Sequence, residues 1–207
     1  MRRVALLAAA VLLAAAVAAG ALRAHWLAHG LGVDGVELRA MVPVSVRADA
    51  ERGALGNRVS TVWAPLPLGT ADPLERFRIV HAAMIGLKES GQAVGAEVLT
   101  RLPGFAPPTV LHQAARLQSR QRFFNLTVTN VPGPQRPLSL LGRRMVAFHP
   151  QVPLAGNTAL GIAVMSYAGT LSFGLLSDFD ALPDLDVLAG ALEAAIAELA
   201  AAAGVAA

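Results

Sequence analysis

The 207-residue sequence contains no cysteine, which excludes disulfides, thiolate metal sites and a cysteine nucleophile, and leaves the redox compartment open. Lysine is almost missing, Lys88 standing alone, so nearly all positive charge is arginine. Charged residues make up 15% of the chain, against roughly 25% in ordinary soluble domains. The formal net charge of +3 is too small to argue for nucleic acid, whose binding calls for a concentrated basic face. The five histidines are never adjacent, and none sits beside an acid in a recognisable base or metal motif. A phosphate-cradling glycine loop is also missing: "GLGVDG" (residues 30–35) lacks the strand before it and the helix after it that such a loop requires. Around Ser166, "VMSYAG" has Val164 where a nucleophile elbow needs glycine, so Ser166 reads as a hairpin serine. From the residues alone, no complete catalytic apparatus can be assembled.

What the chain has in excess is apolar surface. Hydrophobic residues are 55% of it and mean hydropathy is +0.53, above the roughly 45–50% of typical soluble domains. That excess implies membrane contact or an apolar partner surface. The N-terminal stretch carries two arginines and then an uncharged run from Val4 to Leu22, the pattern of a signal peptide or short anchor. Alanine dominates the run, so a buried helix fits it too. The chain divides into residues 1–30, an apolar helix, and residues 31–207, the body.

Along the body, "VELRAMVPVSVR" alternates with Leu38, Ala40, Val42, Val44 and Val46 on one face, a strand. "NRVSTVWAPLPLG" returns as a second strand, expected to end at Pro65 and Pro67. Asp72-Pro73-Leu74-Glu75 is a helix start, with a capping acceptor, proline at the first helical position and glutamate three residues on. Leu74, Phe77, Val80, Met84 and Leu87 then follow helical spacing. Residues 94–122 are ambiguous; Arg116, Arg120 and Arg122 there suit a solvated helix end better than a phosphate site. "FFNLTVTN" alternates as a strand, "SLLGRRMVAFHPQVPL" supplies a short strand after a turn, and residues 157–180 form a hairpin bending at Tyr167 to Thr170. Leu185, Leu188, Ala189, Leu192, Ala195, Ile196 and Leu199 mark a final helix. Strands interleaved with amphipathic helices predict an α/β fold with a mixed sheet flanked by helices.

Two constellations carry weak chemical signals. His25 and His29 stand four apart on a helix and can face one metal ion, but the sequence displays no third ligand, so no metal site is assigned. Asp178 and Asp180 can pair as carboxylates, or serve as a solvated loop or cap.

"PVSVR" (43–47), "LGNRVS" (55–60), "DPLERF" (72–77), "NLTVTNVPGP" (125–134), "SYAGTLSFGLLSD" (166–178) and "PD" (183–184) come in an order that resembles one family, the bacterial wax ester synthase/diacylglycerol acyltransferases, in their C-terminal part. The resemblance runs from roughly Val11 to the end, and "NVPGP" after an alternating strand is its most specific piece. It implies one lobe of the two-lobed, CoA-dependent acyltransferase fold shared with chloramphenicol acetyltransferase and condensation domains, the lobes facing each other across a tunnel. It implies transfer of an acyl group from acyl-CoA, as co-substrate, to a long-chain alcohol or diacylglycerol, with no bound cofactor.

The family's His-His-x-x-x-Asp-Gly motif, whose histidine is general base on the acceptor hydroxyl, is absent, so the resemblance assigns no catalytic residue here. The family's Asn-Asp before the helix is also absent, Val11 and Leu12 standing in its place. The implied partners are an N-terminal lobe carrying the histidine motif, acyl-CoA with a lipid acceptor, and a membrane or lipid-inclusion surface on its cytoplasmic side; an N-terminally anchored or exported chain is the alternative. Candidate tunnel residues are Arg47, Asn57, Asn130, Pro132, Gly133 and Pro134. Pro132 and Pro134 cannot donate to a ladder and stop the strand, Gly133 permits a turn or a close approach, and Asn130 is freed to bond loop backbone or ligand. Arg47 suits a CoA phosphate or a salt bridge to the neighbouring loop. The competing functions are a non-catalytic membrane-associated lipid or acyl-CoA binding module, and an inactive gene fragment.

Overall fold

The computed structural model describes residues 2–45, 59–89, 123–154 and 156–205. The element order is α1 (Arg2–Ala28), β1 (Glu37–Ser45), β2 (Val59–Pro67), α2 (Pro73–Glu89), β3 (Leu126–Pro132), β4 (Ser139–Leu140), β5 (Arg143–Arg144), β6 (Leu160–Tyr167), β7 (Thr170–Ser177) and α3 (Leu185–Ala202). Five strands form one mixed sheet in the order β2-β1-β3-β6-β7, with β1, β3 and β6 parallel and β2 and β7 antiparallel at the edges. This is the α/β architecture read from the sequence.

Period-two alternation sends Ala40, Val42, Val62, Ala64, Leu126, Val128, Leu160, Ile162 and Val164 to one face, where they are buried. Helices α1, α2 and α3 pack against one another over that face, with α1 between the other two. Ala14 to Leu22 of α1 are buried in this layer, where the small alanines let helix backbones approach closely. Among the described residues, no helix is long and apolar enough to cross a membrane. Helix α2 starts as expected, the Glu75 amide donating to Asp72 Oδ1 at 2.6 Å, and buries Val80 completely. Leu188, Leu192, Ala195 and Leu199 form the inner stripe of α3.

Arg76 breaks the expected pattern, because a charged position of α2 turns inward and is 3% exposed. Its guanidinium donates to Glu198 of α3 at 2.7 Å and to the carbonyls of Thr70 and Ala71. The path lies over Gly20 of α1, where an added Cβ would sit 3.0 Å from Arg76.

The prolines of β2 correct the sequence reading: Pro65 lies inside the strand, opposite Arg39, and Pro67 is its last residue, opposite Glu37. Arg39 uses its amide and carbonyl on Asn125, on the β3 side. Arg39 and Pro65 are therefore a non-hydrogen-bonded pair, and the missing Pro65 and Pro67 N–H groups point to the open edge of the sheet. The short strand expected after residue 138 is instead a two-stranded ribbon, β4–β5, turning at Leu141 and Gly142 with φ of 51° and 76°.

Candidate functional site

The carboxyl ends of the parallel strands β1 and β3 are where the strand order reverses: β2 lies on one side of β1, while β3 and β6 lie on the other. In open α/β sheets such a reversal is where ligands bind. The β1–β3 ladder spans only Ala40↔Leu126 and Met41↔Thr127. By the alternation that sends Arg39 toward β3, Pro43 also faces β3, and its missing N–H removes the next possible rung. Beyond Thr127, β3 keeps only β6 as a partner among the described residues, through Pro132↔Ser166.

Asn130, Pro132, Gly133 and Pro134 are all at this end. The Asn130 amide oxygen is buried, as is the Thr127 hydroxyl, and neither has a hydrogen-bond partner among the described residues. A buried acceptor without a partner is costly. Arg47 and Asn57, the other two sequence candidates, lie outside the described residues, as do Arg116, Arg120 and Arg122.

Gly133 has a structural reason for being glycine: a Cβ there would overlap the Ser166 carbonyl oxygen. The segment after β3 is thereby laid against the β6–β7 turn. The Ala168 amide donates to the Pro134 carbonyl at 3.1 Å. Gln135 bridges three groups, donating to the Gly133 carbonyl and the Ser166 hydroxyl and accepting from the Gly169 amide. Ser166 is thus a hairpin serine engaged by Gln135, and Ala168 and Gly169, with φ of 46° and 88°, make the bend expected between Tyr167 and Thr170. Tyr167 extends the clasp, its hydroxyl accepting from the Leu138 amide at 2.8 Å and donating to the Met145 carbonyl at 3.0 Å. Sequence reasoning missed Gln135 and Tyr167; the signal available was a lone tyrosine and a glutamine beside the Pro-Gly-Pro stop.

The back of the sheet is crossed by residues near 150–154. A Cβ on Gly174 would overlap the Pro150 carbonyl, and one on Gly161 would sit 2.7 Å from Val152. On the helix side, Leu13, Phe173, Leu175, Leu192 and Ile196 line an apolar recess of about 420 Å³ beside β7. Asp178 accepts from the Asp180 and Ala181 amides, which makes it a turn former rather than one of a reactive carboxylate pair.

A third cluster lies at the opposite end of the sheet. His25 Nε2 is 2.8 Å and His29 Nε2 is 3.0 Å from the same oxygen of Asp184. Burial works to raise the Asp184 pKa, but the His25 hydrogen bond, its own amide and the charges of both histidines outweigh it and hold the carboxyl below its ordinary value.

A family model described as the WS/DGAT C-terminal domain matches residues 55–200. The chain belongs to this family. A Mycobacterium tuberculosis relative named as a diacylglycerol O-acyltransferase is 38% identical over 164 residues, 78% of this chain and 35% of its own. The O-acyltransferase WSD of Acinetobacter baylyi is 31% identical over 179 residues, 86% of this chain and 38% of its own. The solved wax ester synthase/diacylglycerol acyltransferase of Marinobacter aquaeolei VT8 superposes with a TM-score of 0.68 at 28% identity, covering 94% of this chain and 43% of that one. A starter condensation domain of rhizomide synthetase superposes with a TM-score of 0.54 at 20% identity, a likeness of fold. The WS/DGAT C-terminal domain in hand is thus one lobe of the acyltransferase-like fold, and it spans 35% to 43% of the length of these WS/DGAT relatives.

Proposed function

We propose that this WS/DGAT C-terminal domain is the non-histidine wall of an O-acyltransferase that passes an acyl group from acyl-CoA to a long-chain alcohol or diacylglycerol. The histidine base resides on an N-terminal lobe, and the protein works at a membrane or lipid-inclusion surface. In this reading α1 is a core helix of the lobe, supported by burial of Ala14 to Leu22 between α2 and α3.

The observation that carries the reading is the opened seam between β1 and β3, with the buried amide oxygen of Asn130, which has no partner among the described residues, on the strand beside it. In such a cleft the chain's own residues act by position. Pro43 and Pro132 keep the strands from zipping shut, while Gly133 fixes the height of the strand end against Ser166. Asn130 offers an acceptor to a bound hydroxyl or amide. The acyl-transfer chemistry comes from a base on the opposing lobe, which takes the acceptor hydroxyl proton as oxygen attacks the thioester carbon and CoA leaves as thiol.

The test joins this chain to the N-terminal lobe of the Acinetobacter baylyi O-acyltransferase WSD and assays transfer from labelled palmitoyl-CoA to hexadecanol and to diolein. Ester formation by the pair and by neither lobe alone is expected. A folded pair that binds palmitoyl-CoA without turnover would replace this reading with a lipid-binding module.

A further inference from the structure

We propose that His25, His29 and Asp184 form a binding site for a divalent transition metal of the zinc class, which pins the end of α1 to the start of α3. The ligating atoms, His25 Nε2, His29 Nε2 and a carboxylate oxygen of Asp184, lie within 4.8 Å of one another. The two histidines come from one helix end and the aspartate from 159 positions beyond His25, which is why the sequence shows no third ligand.

Local structure prepares each group. Helix α1 ends in a glycine cap, Gly30 having φ of 69°, with the Leu31 amide returning to the Trp26 carbonyl. That cap folds His29 back until its ring centroid is 4.4 Å from that of His25. Asp184 occupies the N-cap position of α3, yet its side chain makes no capping hydrogen bond and turns to the histidines. Capping by aspartate stabilises a helix by about 1 kcal/mol, so this carboxylate forgoes a standard role to stand where it does.

His29 is already oriented as a ligand. Its Nδ1 lies 2.8 Å from the His25 carbonyl oxygen, which only accepts, so Nδ1 carries the hydrogen. Its Nε2 then faces a carboxylate oxygen of Asp184 3.0 Å away, where a metal cation can take the place of a proton between the two. An Nδ1–H held by a backbone carbonyl is also the arrangement that orients metal-bound histidines.

The spacing fits as well. Zinc bonds of about 2.0–2.2 Å place tetrahedral ligands roughly 3.3–3.5 Å apart, and the observed 2.8 and 3.0 Å edges need to open by only a fraction of an ångström. To ligate, both histidines present a deprotonated Nε2 to the metal. Two imidazoles and one carboxylate suit zinc, cobalt or nickel and not calcium or magnesium. Solvent supplies the fourth ligand, since the His29 and Asp184 side chains are 45% and 27% exposed.

The site sits at the amino ends of β1 and β6, since α1 ends just before β1 and Asp184 follows β7, whose last residue pairs with the first of β6. Gly133 is at the other end of β3, a strand of seven residues and so on the order of 20 Å long. The metal therefore acts on the framework and not on acyl transfer.

The full chain is purified, stripped with chelator and dialysed against zinc alone, and bound metal and thermal midpoint are measured beside His29→Gln and Asp184→Asn. His29→Gln alters a partly exposed side chain and preserves the fold. One zinc per chain, a raised midpoint with zinc but not magnesium, and affinity at least about tenfold weaker in both variants are expected. Cobalt should give a tetrahedral visible spectrum that the variants lose. Folded wild type without stoichiometric zinc, or equal binding by wild type and His29→Gln, overturns the proposal.

Discussion

Gly133 lies against the carbonyl of Ser166 so closely that no β-carbon fits between them. The obstacle is backbone of a sheet strand, which cannot swing aside as a side chain can. Gly133→Ala must therefore lift the end of β3 off β6, costing about 1–3 kcal/mol, and break the Gln135 bridge with it. Gly190, in α3 with open space around it, is the control. Gly190→Ala should stabilise by about 0.5–1 kcal/mol. Urea unfolding of the two variants gives the signs.

Asn130→Ala separates a binding role from a structural one. It removes a buried acceptor that has no partner among the described residues, so stability should change by less than about 1 kcal/mol, or rise. Ester formation by the joined lobes should fall at least about tenfold if Asn130 meets substrate. A large loss of stability with unchanged turnover would make it a structural residue. Thr127→Val, which removes the other buried oxygen without a partner among the described residues, should likewise leave stability unchanged or improved.

Tyr167→Phe deletes one oxygen that serves both the Leu138 amide and the Met145 carbonyl. A loss of about 1–3 kcal/mol is expected, with faster hydrogen exchange confined to residues 138–145. Protection that falls evenly over the sheet would contradict the view of Tyr167 as the anchor of the β4–β5 ribbon.

Arg76 and Glu198 should be energetically coupled, while Arg39 and Glu37 should not. The first pair meets at 2.7 Å with the arginine 3% exposed; the second is 3.7 Å apart with both side chains more than half exposed. A double-mutant cycle to alanine should return at least about 1 kcal/mol for the first and about 0–0.5 kcal/mol for the second. Arg76→Ala should cost more than Glu198→Ala, because it also strips the Thr70 and Ala71 carbonyls of their donor.

Much of the fold was legible because its causes are local. The alternation of Leu38 to Val44, the Asp72 cap, the stripe of α3 and the bend at Ala168-Gly169 each depend on residues within a turn or two of one another. Pro65 misled because a proline stops a strand only where its N–H is needed, and which edge of the strand faces a neighbour is a property of the sheet. Arg76 was not legible for a similar reason: helical spacing reports which face of α2 it occupies, but not that Glu198 waits there from the other end of the chain.

By itself the sequence determined the family and the mixed α/β architecture, together with the place where β3 must stop, since alternation, caps and proline chemistry act over short spans. Only the tertiary structure decided that Gly133 presses on Ser166, that Gln135 and Tyr167 hold the clasp, and that Asp184 meets His25 and His29. Those relationships join positions that are far apart in the chain, and a contact of that kind exists only once burial of the apolar faces has brought the elements into register.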